Sequence, residues 1–355
     1  MIRFEPRTNP SAIMVYGVPV MAAIIAILLA AIPLALAGAP IIKAYGLMIS
    51  GAFGSMFSIS EMLTRATPLI LTGLAAAIAF RAKLWNIGAE GQLYMGAMAA
   101  VAIGSGVIDG PSYIMIPVVL IAGAAGAVML IGPTLLKTRL GVDEVVTTLL
   151  LNFIVILFVQ MMLEGALKDP MSMGWPQSEP VIDSAVLPPL IERMRVHLGL
   201  VIALICAVAL AIFVKRTIWG FEIRAVGENA AAAKFSGISV TKTMVLVAML
   251  SGGLAGLAGV SEVAGTRGYL ATDLSPGYGY AGIVVAMLAR LSPIGVIISA
   301  LFVASVFVGA DSMSRAIGVS SYLADLIVAM ALLCVLIGGF LTRFKVHFEH
   351  QKSAG

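Results

Sequence analysis

Ten apolar runs of spanning or near-spanning length, at about 14–37, 66–82, 89–108, 112–136, 145–165, 197–214, 241–264, 278–290, 293–310 and 321–341, decide the solvent in which this chain folds. About 20 apolar residues wound as a helix cross the roughly 30 Å hydrocarbon core of a bilayer, and a helix satisfies its own backbone N–H and C=O groups there. Composition agrees, with 60% of 355 residues hydrophobic and 11% charged, against roughly half and a quarter in soluble domains. The expected fold is an all-α polytopic transmembrane bundle of about ten segments, including broken helices. A transmembrane domain over 14–341 is expected between an N-terminal tail, 1–13, and a C-terminal tail, 342–355.

The first run, Met14 to Ala37, is longer than the apolar part of a signal peptide, about 7 to 15 residues, and is read as an uncleaved first helix. Orientation follows from the basic residues. With the N-terminus inside, fifteen of the 22 Lys and Arg fall on the cytoplasmic side and seven outside, so both tails are expected in the cytoplasm. The same scatter between apolar runs explains the net charge of +4 without a nucleic-acid partner.

Enzymatic chemistry lacks its parts. No Gly-Lys pair occurs, so there is no phosphate cradle of the G-x-x-x-x-G-K-[ST] kind. A G-x-G-x-x-G match, Gly277 to Gly282, leads into an apolar run and follows no strand, which argues against a dinucleotide site. His197, His347 and His350 are isolated or in the tail, and Cys206 and Cys334 lie inside apolar runs, so neither a metal centre nor a catalytic triad is expected.

Two runs read as short and interrupted: the second, ending at Arg81 and Lys83, and the eighth, ending at Arg290 and Leu291-Ser292-Pro293. Broken helices at matching places in two halves often flank a substrate path. After the second comes LWNIGAEGQLYMG, Leu84 to Gly96, where Gly88 and Gly91 are read as a structural break that lets the backbone leave the helix. Asn86, Glu90 and Gln92 then stand on the substrate pathway, or else the stretch lies at the cytoplasmic mouth and Glu90 pairs with a basic neighbour or caps the next helix. A carboxylate facing lipid would cost several kcal/mol, so Glu90 faces protein, a cavity or the surface. Asn152, alone in LLLNFIVILFV, joins the pathway residues or bonds to an adjacent helix. Gly252, Gly253, Gly256 and Gly259 form a small-residue face for close helix contact, and Glu262 and Arg267 would pair with each other or meet an external protein. The outer segments Gly38 to Arg65 and Ala166 to His197 are read as long loops, the second a candidate docking surface.

The segment from Lys215 to Lys242 contains four alanines between Gly227 and Gly237, which predicts a short exposed helix over Glu228 to Ser236. Its pattern G-F-x-x-R-A-x-G-x-N-x-x-A-A-x-x-x-G-I, from Gly220 to Ile238, resembles the coupling loop of the permeases of bacterial ABC importers for ribose and similar sugars, nucleosides and branched-chain amino acids. LSGGLAGLAGVSEVAGTRG is also typical of that family, and the resemblance covers about residues 60 to 340. NIGAEGQ resembles the nucleoside, or simple-sugar, branch. The resemblance implies a bacterial inner-membrane, multi-pass permease that is not itself an enzyme and carries no cofactor, ATP and Mg being held by a separate ATPase subunit. It also implies a second permease subunit, a different chain, and a substrate-binding lipoprotein or periplasmic protein. ATPase coupling falls to the loop about 215–240, with Arg224, Gly227, Glu228, Asn229, Ala232, Ala233 and Gly237. The alternatives are a simple-sugar cargo such as ribose, an ion-coupled secondary transporter, and a non-transporting membrane scaffold.

Overall fold

The computed structural model describes residues 2–6, 12–106, 108 and 110–348; Arg7, His350, Lys352 and the tail segments 7–11 and 349–355 lie outside the described residues. The chain divides into two compact units, 59–304 and a discontinuous one of 1–58 with 305–355.

The discontinuous unit begins with strand β1 (Ile2–Pro6), helix α1 (Ala12–Leu36) and helix α2 (Ile41–Phe53). Gly38, at φ 69°, and Pro40 turn the chain between the two helices by 120°. The 59–304 unit holds most of α3 (Met56–Arg81), then α4 (Ala89–Gly104), α5 (Ser112–Gly123), α6 (Gly126–Leu135) and α7 (Glu144–Glu164). It continues with α8 (Leu198–Arg216), α9 (Ile218–Glu228), α10 (Ala230–Phe235), α11 (Val240–Glu262), α12 (Tyr278–Leu288) and the first half of α13 (Pro293–Ile317). Helix α14 (Ser321–Arg343) and strand β2 (Phe344–Phe348) return to the discontinuous unit.

In that unit α1 packs along α14 around Ala30, Leu34, Ala44, Met313 and Ile327. Helix α2 lies on α13, where a side chain at Gly309 would come within 2.7 Å of the Met48 carbonyl. Strands β1 and β2 pair antiparallel with Ile2 opposite Phe348, so residues 2–6 and 344–348 lie side by side. This ribbon is the one departure from an all-helical fold among the described residues.

Seven helices of the described residues are long and apolar enough to cross a membrane, and α1 with α2 would make an eighth. The count of about ten is therefore corrected: two of the ten apolar runs are half-length helices, α4 with 16 residues and α12 with 11. At 1.5 Å per residue they rise only about 24 and 17 Å. The second run is not short. Its helix α3 starts at Met56, ten residues earlier than hydropathy indicates, because Ser60, Thr64 and Glu61 face protein: Ser60 and Thr64 are buried, and Glu61 meets Arg195 at 3.3 Å. The expected outer loop 38–65 is thus replaced by α2 and the first turns of α3.

Helix α11 is the axis of the larger unit and packs against α4, α5, α6 and α9. Of the predicted small-residue face, Gly252, Gly256 and Gly259 touch backbone: a Cβ at Gly252 would meet the Gly126 carbonyl at 2.6 Å, one at Gly256 the Gly126 nitrogen at 3.1 Å, and one at Gly259 the Ala97 nitrogen at 2.7 Å. Gly253 has only the Ala127 methyl at 3.9 Å. The segment after α7 is stitched to 264–270 by Ser178 N to Leu270 O, Val181 N to Gly268 O and Leu187 N to Ala264 O, at 2.8 to 2.9 Å, and leaves Met171, Met173 and Trp175 exposed.

Candidate functional site

Helix α3 ends at Arg81, Lys83 takes the left-handed conformation at φ 53°, and the chain runs irregularly to Gly88 before α4 begins. A buried irregular backbone must find partners for its polar groups, because each unpartnered one costs about 1–3 kcal/mol. The polar side chains of LWNIGAEGQLYMG supply them. Asn86 Nδ2 donates to Gln92 Oε1 (2.9 Å) and Ser251 Oγ (3.0 Å). Gln92 Nε2 donates back to Asn86 Oδ1 (3.0 Å), which also accepts from Gly88 N (2.9 Å). Ser251 Oγ donates to the Ala75 carbonyl at 2.7 Å, tying the loop to α3 through α11. Asn86 and Gln92 are fully buried, and their amides are occupied by one another.

Asn152 of α7 closes the other side. Its Oδ1 accepts from Gly91 N (2.8 Å), and its Nδ2 donates to the Ile87 carbonyl (2.9 Å) and the Tyr280 hydroxyl (3.1 Å). Gly88 and Gly91 serve close approach rather than an unusual backbone conformation. Gly88 caps α4 at φ −82°, and a Cβ there would lie 3.1 Å from the Gln92 amide and the Thr148 Cβ. One at Gly91 would lie 2.9 Å from Asn152 Oδ1.

Glu90 occupies the junction of the two half-length helices. It stands in the first turn of α4, and its Oε2 accepts from Gly279 N in the first turn of α12 at 2.6 Å, with the Ser275 side chain as a second partner. The helix starts touch directly, since a Cβ at Gly279 would be 2.6 Å from Glu90 Cα. Each N-terminus carries roughly half a positive charge, and the buried Glu90 side chain places an acceptor oxygen between the two ends. Gly277 makes the turn into α12 at φ 92°. The G-x-G-x-x-G match is therefore where one half-helix abuts the other. The sequence reading missed this use, as it missed Ser251, Ser275 and Tyr280, although the glycine spacing already indicated close backbone contact.

At the 215–240 end the elements interlock. Arg81 donates twice to the Leu291 carbonyl after α12, from Nε at 3.1 Å and Nη2 at 2.7 Å, where Arg290 and Leu291 both have positive φ. Gly227, buried in α9, lies on the backbone of Arg81 and Ala82; a Cβ would collide with the Arg81 carbonyl. Arg224 Nη1 donates to the Val214 carbonyl (2.7 Å), and Lys83 Nζ reaches the Glu228 carbonyl at 3.4 Å. Lys137 pairs with Glu144 and donates to the Lys83 carbonyl (2.7 Å), while Glu144 accepts from Trp85 N (3.2 Å).

Two short helices occupy the segment where one was expected. Glu228 ends α9, and exposed Asn229 caps α10 by accepting from Ala231 N (3.0 Å) and Ala232 N (3.1 Å). Ala232 is exposed, Ala233 is buried, and exposed Gly237 ends α10 at φ 86°. Ile218, Phe221 and Phe235 are exposed around them. The structure thus brings Asn86, Glu90, Gln92 and Asn152 into one buried cluster and places the seven 224–237 residues together at one end. Glu262 is buried at the end of α11, while Arg267 pairs with Asp273 at 3.5 Å rather than with it.

Residues 58–336 match the family model described as branched-chain amino acid transport system / permease component. The chain is 36% identical to the guanosine ABC transporter permease protein of Bacillus subtilis, over 90% of this chain and 92% of that one. It is 34% identical to the glucose ABC transporter permease protein of Haloferax volcanii, over 97% and 93%. To the nucleoside ABC transporter permease protein of Lactococcus lactis subsp. cremoris it is 34% identical, over 84% of each. With most of its length matched, spanning the broken stretch, both half-length helices and the interlocked loop, the chain belongs to the branched-chain amino acid transport system permease family.

Proposed function

We propose that this chain is the membrane-spanning permease of an ATP-driven ABC importer that moves nucleosides inward across the bacterial inner membrane, with both chain ends in the cytoplasm. The observation that carries the reading is the seating of Gly227 on Arg81, because Arg81 also holds the carbonyl that follows α12. A push on α9 and α10 by an ATPase subunit then reaches both half-length helices through rigid contacts. ATP and Mg belong to that subunit; a second permease chain and an external binding protein complete the importer. Exposed Phe235, Phe221 and Ile218 form the apolar part of the ATPase docking face.

Within the cluster, roles divide by free valence. Asn86 and Gln92 hold the irregular stretch in place, and Asn152 orients Tyr280, which is exposed and keeps its hydroxyl proton available for cargo. The nucleoside reading is supported by the guanosine and nucleoside permeases among the relatives. A simple sugar is the second reading, favoured by the glucose permease relative that matches over 97% of the chain.

The test is uptake of labelled guanosine by cells with and without this gene, challenged with excess adenosine, uridine, ribose or glucose. Gene-dependent uptake blocked by nucleosides and not by sugars is the expected result, and the reverse pattern selects the sugar. Ala232→Trp, at an exposed position of α10, is expected to abolish uptake while the chain still reaches the membrane and the binding protein keeps its affinity. Unchanged uptake in that variant removes the coupling assignment, and a tagged chain that brings down no ATPase in mild detergent removes the ABC mechanism.

A further inference from the structure

An open groove of about 390 Å³ lies between the end of α6, its π-helical extension Leu136–Leu140, α9 and the start of α11. Its wall is apolar, formed by Leu135, Leu246 and the half-exposed Met249, while its mouth carries Arg139, Lys242 and Thr241 with the indole of Trp219 beside them. Arg139 and Lys242 are exposed, and neither has an ion pair or hydrogen bond among the described residues. Of the two acids of α9, Glu222 accepts from the Thr243 hydroxyl at 3.4 Å and Glu228 is the last residue of the helix.

We infer that this groove binds an anionic phospholipid, its phosphate held by Arg139, Lys242 and the Thr241 hydroxyl and an acyl chain lying along Leu246 and Met249. Depth and charge select this occupant. Thr241 to Met249 is a rise of about 12 Å along α11, most of the way through one leaflet's half of a core about 30 Å thick. A soluble anion has no use for an apolar wall of that depth, and an ATPase docked at the membrane surface does not reach it. Two unpaired cations at the mouth call for an anionic headgroup, as basic pockets between transmembrane helices do, and an interfacial tryptophan at the same level marks the headgroup zone. The groove is independent of cargo identity.

The test is native mass spectrometry of the full chain in mild detergent, titrated with equal amounts of phosphatidylglycerol and phosphatidylcholine. The expected result is several-fold more bound phosphatidylglycerol, falling about fivefold or more in Arg139→Gln/Lys242→Gln, and unchanged in the control Lys215→Gln/Arg216→Gln, which removes equal charge from the end of α8. Equal binding of the two lipids, or an equal fall in the control, overturns the site. Displacement of the lipid by millimolar inorganic phosphate would make it a soluble-anion site and overturns the lipid assignment. A second measurement locates the lipid: in a Trp85→Phe/Trp175→Phe chain in vesicles, dibrominated phosphatidylglycerol quenches Trp219 at least twofold more than dibrominated phosphatidylcholine. Equal quenching rules out occupancy of this groove. In the assembly that co-purifies from membranes, retained phosphatidylglycerol falls with the double substitution; if it does not, a protein partner covers the groove and the inference fails.

Discussion

Helices α3 and α8 invert the rule that governs soluble proteins. Among the seven membrane-capable helices, α3 is the least apolar, yet 89% of its apolar window is buried. Helix α8 is the most apolar, and only 33% of its window is buried. Lipid rewards apolar surface as well as a protein core does, so burial in a membrane protein is not driven by hydrophobicity. What draws a helix to the centre is polarity in need of partners, together with small residues that let backbones approach. α3 has Ser60, Thr64 and Glu61 on one stretch and Gly73 and four alanines on another. α8 leaves Ile205, Val208 and Ile212 exposed.

The contrast is broken most severely by adding bulk where backbones touch. Gly256→Leu forces α11 off the Gly123–Gly126 corner and is expected to cost more than about 4 kcal/mol, read as loss of the monodisperse peak in detergent size-exclusion. Next comes Glu90→Leu, which removes the acceptor of Gly279 N and leaves two helix starts facing each other; about 2–4 kcal/mol is expected from the unpartnered donor and the dipoles. Lower melting with lost uptake is the readout, and Glu90→Gln, which keeps an acceptor, recovers part of the melting temperature. Lys137→Met strands the buried Glu144 carboxylate. With Lys137 about a quarter exposed, the cost is discounted to about 1–3 kcal/mol, and Lys137→Met/Glu144→Met restores part of it in a double-mutant cycle, because Trp85 N and the Lys83 carbonyl then lack their partners. The smallest effect is Leu157→Ala on the exposed face of α7, within about 0.5 kcal/mol. A large loss there would mean that this face is covered by protein.

Much of the architecture is legible in the order of residues, and the failures have one cause. The ten apolar runs, the glycine face of α11 and the special character of 84–96 all follow from local composition. The start of α3 was missed because a hydropathy window assumes lipid as the solvent, whereas Ser60 and Glu61 are solvated by the 195–196 segment. Of the two half-length helices, α12 lies in a run that already reads as short, whereas α4 was missed: it reads as a full run to 108, yet its helix ends at Gly104. The partner of Glu90 lies 189 residues away and the partner of Asn86 on α11 lies 165 away, so no local pattern could name them. The glycines at 277 and 279 did carry the signal of close approach, in a motif better known for phosphate.

The antiparallel pairing of β1 with β2, and the packing of α1 on α14, have a consequence in time. Helix α1 leaves the ribosome before its partner α14, with about 285 residues between Leu36 and Ser321. At roughly 5–20 residues per second, α1 waits on the order of 15 to 60 s in the bilayer with its α14-facing side exposed to lipid. Because lipid is as apolar as the missing helix, that wait is tolerable in a membrane where it would be an aggregation hazard in water. Helix α1 is thus made long before its packing is complete, and a chain that stops before Ser321 leaves it without α14.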